Sequence, residues 1–129
     1  MEKCGRFMAW ADSVGIKTPK LEYPAYFGGG LVGVKALETI QHREMILSIP
    51  YKVLMSMDKA KSDPILGRVF KENNRLFGED NPDYEQLILC VFLMYESQKG
   101  TESLWFNYME LMPEVIFMCN WDEVSTNAT

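Results

Sequence analysis

The chain has 129 residues, of which 47% are hydrophobic and 24% are charged, and its formal net charge is −5 at pH 7. This length and composition indicate one folded domain with a sizeable core and exclude overall disorder. Residues 1–64 carry nine basic and seven acidic side chains, whereas residues 65–129 carry four and eleven, and a net-acidic chain without a basic cluster is not expected to bind nucleic acid.

An amphipathic helix is predicted at the N-terminus. In residues 2–14 the apolar side chains recur at spacings of three and four, which places four of them on one helical face: Phe7, Trp10, Ala11 and Val14. Gly15 follows at the position where helices commonly end. The same segment lacks the long apolar run of a signal peptide, so we expect an intracellular location, cytoplasmic or nuclear.

Residues 20–56 are predicted to form a hairpin-like β unit. The lead-in "IKTPKLEYPAYF" contains two prolines, which favours an extended edge segment. In "GLVGVKALETI" (30–40), β-branched residues and an approximate alternation favour a strand. A polar turn, "QHRE", separates it from "MILSIPYKVLMS" (45–56), which is predicted to be the second strand.

From residue 58 to about residue 123 the chain is predicted to be mainly helical. The strongest helical signal covers residues 82–99. Asn81 is a good N-cap there, and Pro82 occupies the first helical position, where its missing N–H costs nothing. Gly100 follows the last turn, as is common at helix ends.

The centre of this helix is apolar all round, which predicts a buried core helix and an inert, buried thiol at Cys90. It contains the longest apolar run, "LILCVFLMY" (87–95), which is far shorter than the roughly 20 residues needed to cross a bilayer. A shorter helix is predicted over 102–112, where Pro113 ends it. Three cysteines without metal-ligand spacing predict reduced thiols and no metal site: Cys4, Cys90 and Cys119.

The most conspicuous motif is "AYFGGGLVG", in which Gly28, Gly30 and Gly33 match the G-x-G-x-x-G pattern of dinucleotide-binding turns. That function requires a helix after the glycines and an acidic residue about 20 positions later. Here a β-like segment follows, and "PYKVL" (50–54) contains no acid, so an NAD or FAD site is disfavoured. Two interpretations stay open: a ligand-free turn between two strands, and a turn that a ligand or another backbone approaches closely.

The order of segments around this turn resembles the opening of the SET domain in protein methyltransferases of the Rubisco large-subunit lysine methyltransferase type. The matching features are the glycine-rich turn with Leu31, a strand reaching Ile40, the turn "QHR" with Glu44, and the strand end "ILSIP" (46–50). One departure is visible. The family usually has glycine just before the glutamate, whereas this chain has Arg43.

Flanking segments extend the resemblance over residues 6–123. Upstream, "RFMAWADSVGIKTPKLE" is similar to the short helix and extended lead-in of this family. Downstream, "SLWFNYMELMP" is similar to a segment that the family marks with four residues, here Trp105, Tyr108, Leu111 and Pro113. "NWDEV" (120–124) is similar to the start of the next helical insert.

The resemblance implies S-adenosylmethionine as cofactor and a protein lysine as methyl acceptor. The cofactor would lie against the glycine turn, and the residues implied to contact it are Phe27, Gly28, Gly29, Gly30 and Leu31. The lysine would enter a narrow channel from the opposite side. Its amine, with an ordinary pKa of about 10.4, must first lose a proton, which an apolar channel assists by disfavouring the cation. Placing amine and methyl group in line would contribute much of the rate.

The family's remaining active-site parts, an asparagine–histidine motif and a late tyrosine, have no match in this sequence. Its single histidine, His42, follows Gln41 in the predicted turn and cannot be carried over. No catalytic residue is therefore predicted. The sequence is expected to represent the first half of a catalytic domain, with one side of a cofactor pocket.

The predicted fold class is α+β, in a single domain over residues 1–129: an N-terminal helix, a β-hairpin unit from the start of a SET domain, and a mainly helical second half. Three functional hypotheses stay open. The chain is the N-terminal part of a protein-lysine methyltransferase, a non-catalytic protein-binding or assembly module derived from a SET domain, or an unrelated α+β interaction domain. The first two imply a protein substrate or partner, and the first also predicts exposed apolar surface that favours self-association.

Overall fold

A computed structural model describes residues 2–112, which form six α-helices, three short 3-10 helices and one two-stranded antiparallel sheet. The α-helices are α1 (Glu2–Ser13), α2 (Met57–Ser62), α3 (Leu66–Glu72), α4 (Asn74–Phe77), α5 (Tyr84–Gln98) and α6 (Phe106–Met109). The strands are β1 (Leu21–Tyr26) and β2 (Val32–Ala36), and the 3-10 helices are Gly28–Gly30, Tyr51–Val53 and Gly100–Glu102. The α+β class predicted from the sequence is confirmed.

The N-terminal helix ends as its sequence predicts. The N–H of Ile16 donates to the carbonyl of Ala11 at 2.9 Å, and the N–H of Gly15 donates to that of Asp12 at 3.0 Å. This pair of bonds closes a helix when the residue after its last turn adopts positive φ, and Gly15 has φ of 87°. Glycine is the residue that adopts this conformation without steric cost.

Strands β1 and β2 form a hairpin around the glycine turn. Leu21 pairs with Ala36 at the open end and Tyr26 pairs with Val32 beside the turn. The register is irregular around Pro24, which has no N–H to donate to the ladder. The extended lead-in that the prolines predict is therefore β1, and it is the partner of the strand that follows the glycines.

The predicted second strand over 45–56 is wrong. Within the described part of the chain its β-pairing is one bridge, in which Ser48 and Lys17 exchange N–H to carbonyl bonds of 2.9 Å, and Tyr51–Val53 forms a 3-10 helix. The strand predicted over 30–40 is present only as β2. The physical reason is that β1, which was predicted only as a lead-in, is the hydrogen-bonding partner of β2.

The core lies in the helical part of the chain. Six buried residues form it: Ala60, Leu66, Phe70, Ile88, Phe92 and Trp105. Ala60 lies on α2, Leu66 and Phe70 on α3, and Ile88 and Phe92 on α5, while Trp105 directly precedes α6. No helix within residues 2–112 is long and apolar enough to cross a membrane.

Helix α5 confirms the predicted helix over 82–99, although it begins later, at Tyr84, and ends earlier, at Gln98. Gly100 has φ of 55°, as expected after a last turn. Asn81 is not the N-cap but forms a turn before the helix, in which its side-chain oxygen accepts from the N–H of Asp83 at 3.1 Å. The predicted short helix over 102–112 is represented by α6 and a preceding 3-10 turn.

The prediction that α5 is buried on every side is wrong. Ile88, Phe92 and Glu96 are buried, whereas the opposite face, including Leu87 and Met94, is exposed. Cys90 lies on this exposed face, so the predicted burial of its thiol is also wrong. The apolar composition of α5 indicates a helix that packs against other elements on two faces. Residues 2–112 cover one of these faces.

Candidate functional site

The glycine turn lies at the tip of the hairpin and is closed at its base. The N–H of Phe27 donates to the carbonyl of Leu31 at 2.9 Å. Gly29 and Gly30 have φ of 76° and 79°, in the left-handed region that strains any residue with a Cβ. Gly28 does not have positive φ. The backbone therefore requires glycine at two of the three positions.

The space above the turn is open. A Cβ placed on Gly28, Gly29 or Gly30 would meet no atom of a described residue within 4 Å. The flanking side chains are also accessible, since Phe27 is 48% exposed and Leu31 is 68% exposed. Residues 27–31 therefore present bare backbone, flanked by two apolar side chains, to a space that another molecule or another part of a domain can occupy.

Gly33 has a separate role. A Cβ at this position would lie 3.2 Å from Cε2 of the Phe27 ring, which is closer than ordinary van der Waals contact. Glycine thus leaves room for that ring against β2. Because a strand and not a helix follows the turn, the dinucleotide interpretation is excluded. The match to G-x-G-x-x-G arises from a hairpin turn and a packing contact.

Many apolar side chains of the hairpin and the segment after it are exposed, and we call them the hairpin apolar surface. Each is between 37% and 68% exposed: Tyr26, Phe27, Leu31, Val32, Val34, Leu37, Ile40, Met45, Ile46, Leu47 and Ile49. Soluble monomers rarely expose large apolar patches, and such patches mark interaction sites. The cofactor turn predicted from the sequence lies within this surface.

Lys20 ties the turn after the hairpin to β1. Its ammonium group forms an ion pair with Glu44 and lies 3.6 Å from the carboxylate of Glu38. Glu44 also accepts from the N–H of Gln41 at 2.8 Å. The hydrogen bond from Lys20, followed by that from Gln41, lowers the pKa of the Glu44 carboxyl below its ordinary value.

Arg43, the one departure from the family pattern in this turn, has φ of 66°. It is the non-glycine residue with positive φ among residues 2–112. Glycine is the residue expected at a position with positive φ. The backbone geometry of Arg43 therefore agrees with the glycine that the family usually has just before the glutamate. Arg43 therefore adopts a backbone conformation that is sterically unfavourable for a residue with a Cβ.

A buried polar network that includes the core residue Trp105 was not predicted from the sequence. Glu96 is 4% exposed, forms an ion pair with Lys99 and accepts from the Ser103 hydroxyl at 2.6 Å. Ser103 in turn accepts from the N–H of Trp105 at 3.2 Å, and the Trp105 indole N–H donates to the Val53 carbonyl at 2.6 Å. The available signal was a glutamate inside an apolar helix with lysine three residues later.

The pKa of Lys99 is raised in this network. Burial alone would lower it, but the hydrogen bond and the charge of Glu96 outweigh burial. Of the other residues that carry the downstream resemblance, Tyr108 lies on α6 and is 42% exposed, while Pro113 and residues 120–124 lie outside the described residues. Within residues 2–112, no group of three or more histidine, cysteine or acidic side chains is placed to hold a metal ion.

No protein-family model matches the chain. Among curated proteins, it is 30% identical over 116 residues to the actin-histidine N-methyltransferase of Drosophila melanogaster. The aligned residues are 88% of this chain and 19% of that protein. It is 32% identical over 71 residues to the ribosomal lysine N-methyltransferase set10 of Schizosaccharomyces pombe, covering 55% of the chain and 11% of the relative. Human SET domain-containing protein 4 is 30% identical over 91 residues, which are 70% of the chain and 19% of that protein.

The chain is homologous to part of the SET-domain protein methyltransferases. It spans a fifth or less of the length of these relatives. The fold agrees with this assignment. The structure of Rubisco LSMT bound to sinefungin and monomethyllysine superimposes with a TM-score of 0.73 at 24% identity, covering 96% of this chain and 27% of that one. The resemblance inferred from the sequence is thus confirmed.

Proposed function

We propose that this chain forms the cofactor-contacting N-terminal part of an S-adenosylmethionine-dependent protein-lysine methyltransferase. The single observation that carries the proposal is the glycine turn, which is closed, held by positive φ at Gly29 and Gly30, and open above its backbone. Support also comes from relatives named as methyltransferases and from a structural neighbour that binds sinefungin, an analogue of S-adenosylmethionine.

The proposed cofactor-contacting residues are Phe27, Gly28, Gly29, Gly30 and Leu31. Their accessible backbone N–H and C=O groups would hydrogen-bond the polar parts of the cofactor, and the apolar side chains at either end would exclude water. The bound cofactor supplies an electrophilic methyl group. The absence of side chains over three successive positions lets the backbone approach it closely.

We propose a protein lysine as the acceptor, because the neighbour that matches most of this chain was solved with monomethyllysine. Histidine is the alternative, since two of the relatives are actin-histidine methyltransferases. Whether lysine or histidine accepts the methyl group, the role of this chain would be to hold the cofactor against the turn. We place the protein inside the cell, in the cytoplasm or the nucleus.

We further propose that this stretch of sequence is not catalytically complete by itself. It lacks the asparagine–histidine motif and the late tyrosine of the family, and its one histidine, His42, lies in an exposed turn. A second candidate function is a non-catalytic protein-binding or assembly module. The hairpin apolar surface favours that candidate, because it would be covered by a partner or by a second copy of the chain.

The test of the cofactor assignment uses Gly28→Ala. Gly28 does not have positive φ, and a Cβ there meets nothing in the described residues, so the free chain should keep its fold. If a cofactor lies on the turn, the added methyl group overpacks the contact. At about 1 kcal/mol or more for such a clash, the dissociation constant for S-adenosylmethionine should rise at least about fivefold.

Gly5→Ala is the matched control, because Gly5 also has open space around its Cβ but lies on α1. Binding is measured by calorimetry and by the amide chemical shifts of residues 27–31 in a titration with S-adenosylmethionine. Gly29→Val is a weaker test, because φ of 76° strains that variant even without a ligand. The assignment would be contradicted if S-adenosylmethionine shifted only amide resonances outside the turn. It would also be contradicted if Gly28→Ala and wild type bound S-adenosylmethionine with equal affinity.

A further inference from the structure

A second site of interest lies in the helical part, away from the glycine turn. A surface cavity of about 430 Å³, widely open to solvent, is lined by three aromatic residues, Tyr51, Phe92 and Trp105. Its polar lining residues are Asp58, Lys59, Ser62, Asp63 and Glu96. The Trp105 ring is fixed, because its edge-to-face contact with Phe92 has a centroid distance of 5.5 Å and its indole N–H is hydrogen-bonded. The Trp105 and Phe92 rings are therefore fixed and present only an edge to the cavity, being 7% and 3% exposed, whereas the Tyr51 ring is 62% exposed.

This cavity already holds one cation. The ammonium group of Lys59 lies 5.3 Å from the ring centroid of Tyr51 and 5.8 Å from that of Trp105. It donates to the carbonyls of Tyr51 at 2.7 Å and Leu54 at 2.6 Å. Among residues 2–112 no carboxylate forms an ion pair with it. Rings and carbonyls contact the ammonium group, as they do in sites for cationic ligands, while burial lowers the pKa of Lys59 below its ordinary value.

The two carboxylates at the cavity are only partly used. Asp58 accepts from the Tyr51 hydroxyl at 3.2 Å through one oxygen. Asp63 uses one oxygen to accept from the N–H groups of Ile65 and Leu66, at 2.9 Å and 3.0 Å. Each leaves its second oxygen without a hydrogen bond from a described residue. The wall of the cavity thus combines negative charge with electron-rich rings, which favours a cation and disfavours an anion.

We propose that this cavity binds a lysine or arginine side chain of a protein partner, and that Lys59 is its internal occupant in the free chain. The carboxylates of Asp58 and Asp63 would pair with the incoming charge, and the Tyr51 and Trp105 rings would pack against its aliphatic stem and its charged end. The site shares no residue with the turn over 27–31, so it stands or falls independently of cofactor binding.

Because Lys59 occupies the cavity, the proposal predicts that one substitution raises the affinity for a basic side chain and that two others lower it. Lys59→Met removes the competing cation and the two hydrogen bonds that hold this side chain over the rings, so an incoming stem can displace it and the affinity for a basic side chain should rise about threefold or more. Asp58→Asn and Asp63→Asn remove one charge each and keep an oxygen that can accept the existing hydrogen bonds. Each should lower the affinity about twofold to fivefold. Asp80→Asn is the control, because Asp80 is an exposed acid that does not line this cavity.

The probe is N-acetyl-lysine methylamide, with the arginine analogue as a second basic probe and N-acetyl-glutamine methylamide as the neutral comparison. Binding is followed by the indole N–H resonance of Trp105, with S-adenosylmethionine titrated separately on the same samples. Saturable shifts with the basic probes that follow the predicted order of variants support the site. The proposal is overturned if neither wild type nor Lys59→Met responds, if the neutral probe shifts the resonance equally, or if Asp80→Asn weakens binding as much as Asp58→Asn.

Discussion

Replacing Arg43 by glycine is expected to stabilise the chain. Arg43 has φ of 66°, and its exposed side chain forms no ion pair with a described residue. A left-handed backbone costs a residue with a Cβ about 1–2 kcal/mol. Glycine avoids this cost but loses about 0.5–1 kcal/mol of additional conformational entropy on folding. The free energy of unfolding should therefore rise by about 0.5–1 kcal/mol.

Urea unfolding followed by circular dichroism at pH 7 measures this difference, provided that the slopes of the two transitions agree. The control is Arg43→Ala, which removes the guanidinium group but keeps the Cβ and hence the backbone cost. Its midpoint should stay near that of wild type. If alanine and glycine raise the midpoint equally, the gain comes from removing a charge, and the argument from φ is refuted. A lower midpoint for the glycine variant would refute it as well.

The buried network and the Lys20 contact give two further predictions. Glu96→Ala should destabilise the chain by about 2–3 kcal/mol, because it removes the partner of Lys99 and Ser103 from a site that is 4% exposed. A loss below about 0.5 kcal/mol in urea unfolding would contradict the inferred role of that network. The lowered pKa of Glu44 means that its stabilising contribution is present above its ordinary value of 4.5 and is lost as the pH falls through the lowered folded value. Lys20→Met should therefore flatten the acid side of the stability profile below the ordinary Glu44 pKa of 4.5, and an unchanged profile would show that the ion pair contributes nothing.

The elements that could be predicted from the sequence are those whose signals are local. Helix α1 combines apolar spacing with a glycine directly after its last turn, and α5 combines a long apolar run with Gly100. The position of the glycine turn between extended segments also follows from adjacent residues. Each of these features is determined by residues within one or two turns of the chain and can therefore be predicted without knowledge of long-range contacts.

The errors concern partners that are distant in sequence. The segment over 45–56 has the composition of a strand, but β2 pairs with β1 instead. The contact of Trp105 with the Val53 carbonyl spans 52 positions, and the role of Glu96 depends on Ser103 beyond the helix end. Composition likewise indicates that α5 is apolar on all sides without indicating which face finds a neighbour. These features are decided by tertiary packing, which local patterns in the sequence do not reveal.

The arrangement of core and hairpin explains why the candidate cofactor turn can be tested on this chain. The buried core lies in the helical part, while the hairpin exposes most of its apolar side chains. The shape of the turn, however, does not depend on anything packed above it. The Phe27–Leu31 hydrogen bond closes it, and positive φ at two glycines sets its backbone. Covering the hairpin apolar surface should therefore strengthen cofactor binding by excluding water, whereas the contacts to the turn should already be measurable without that cover.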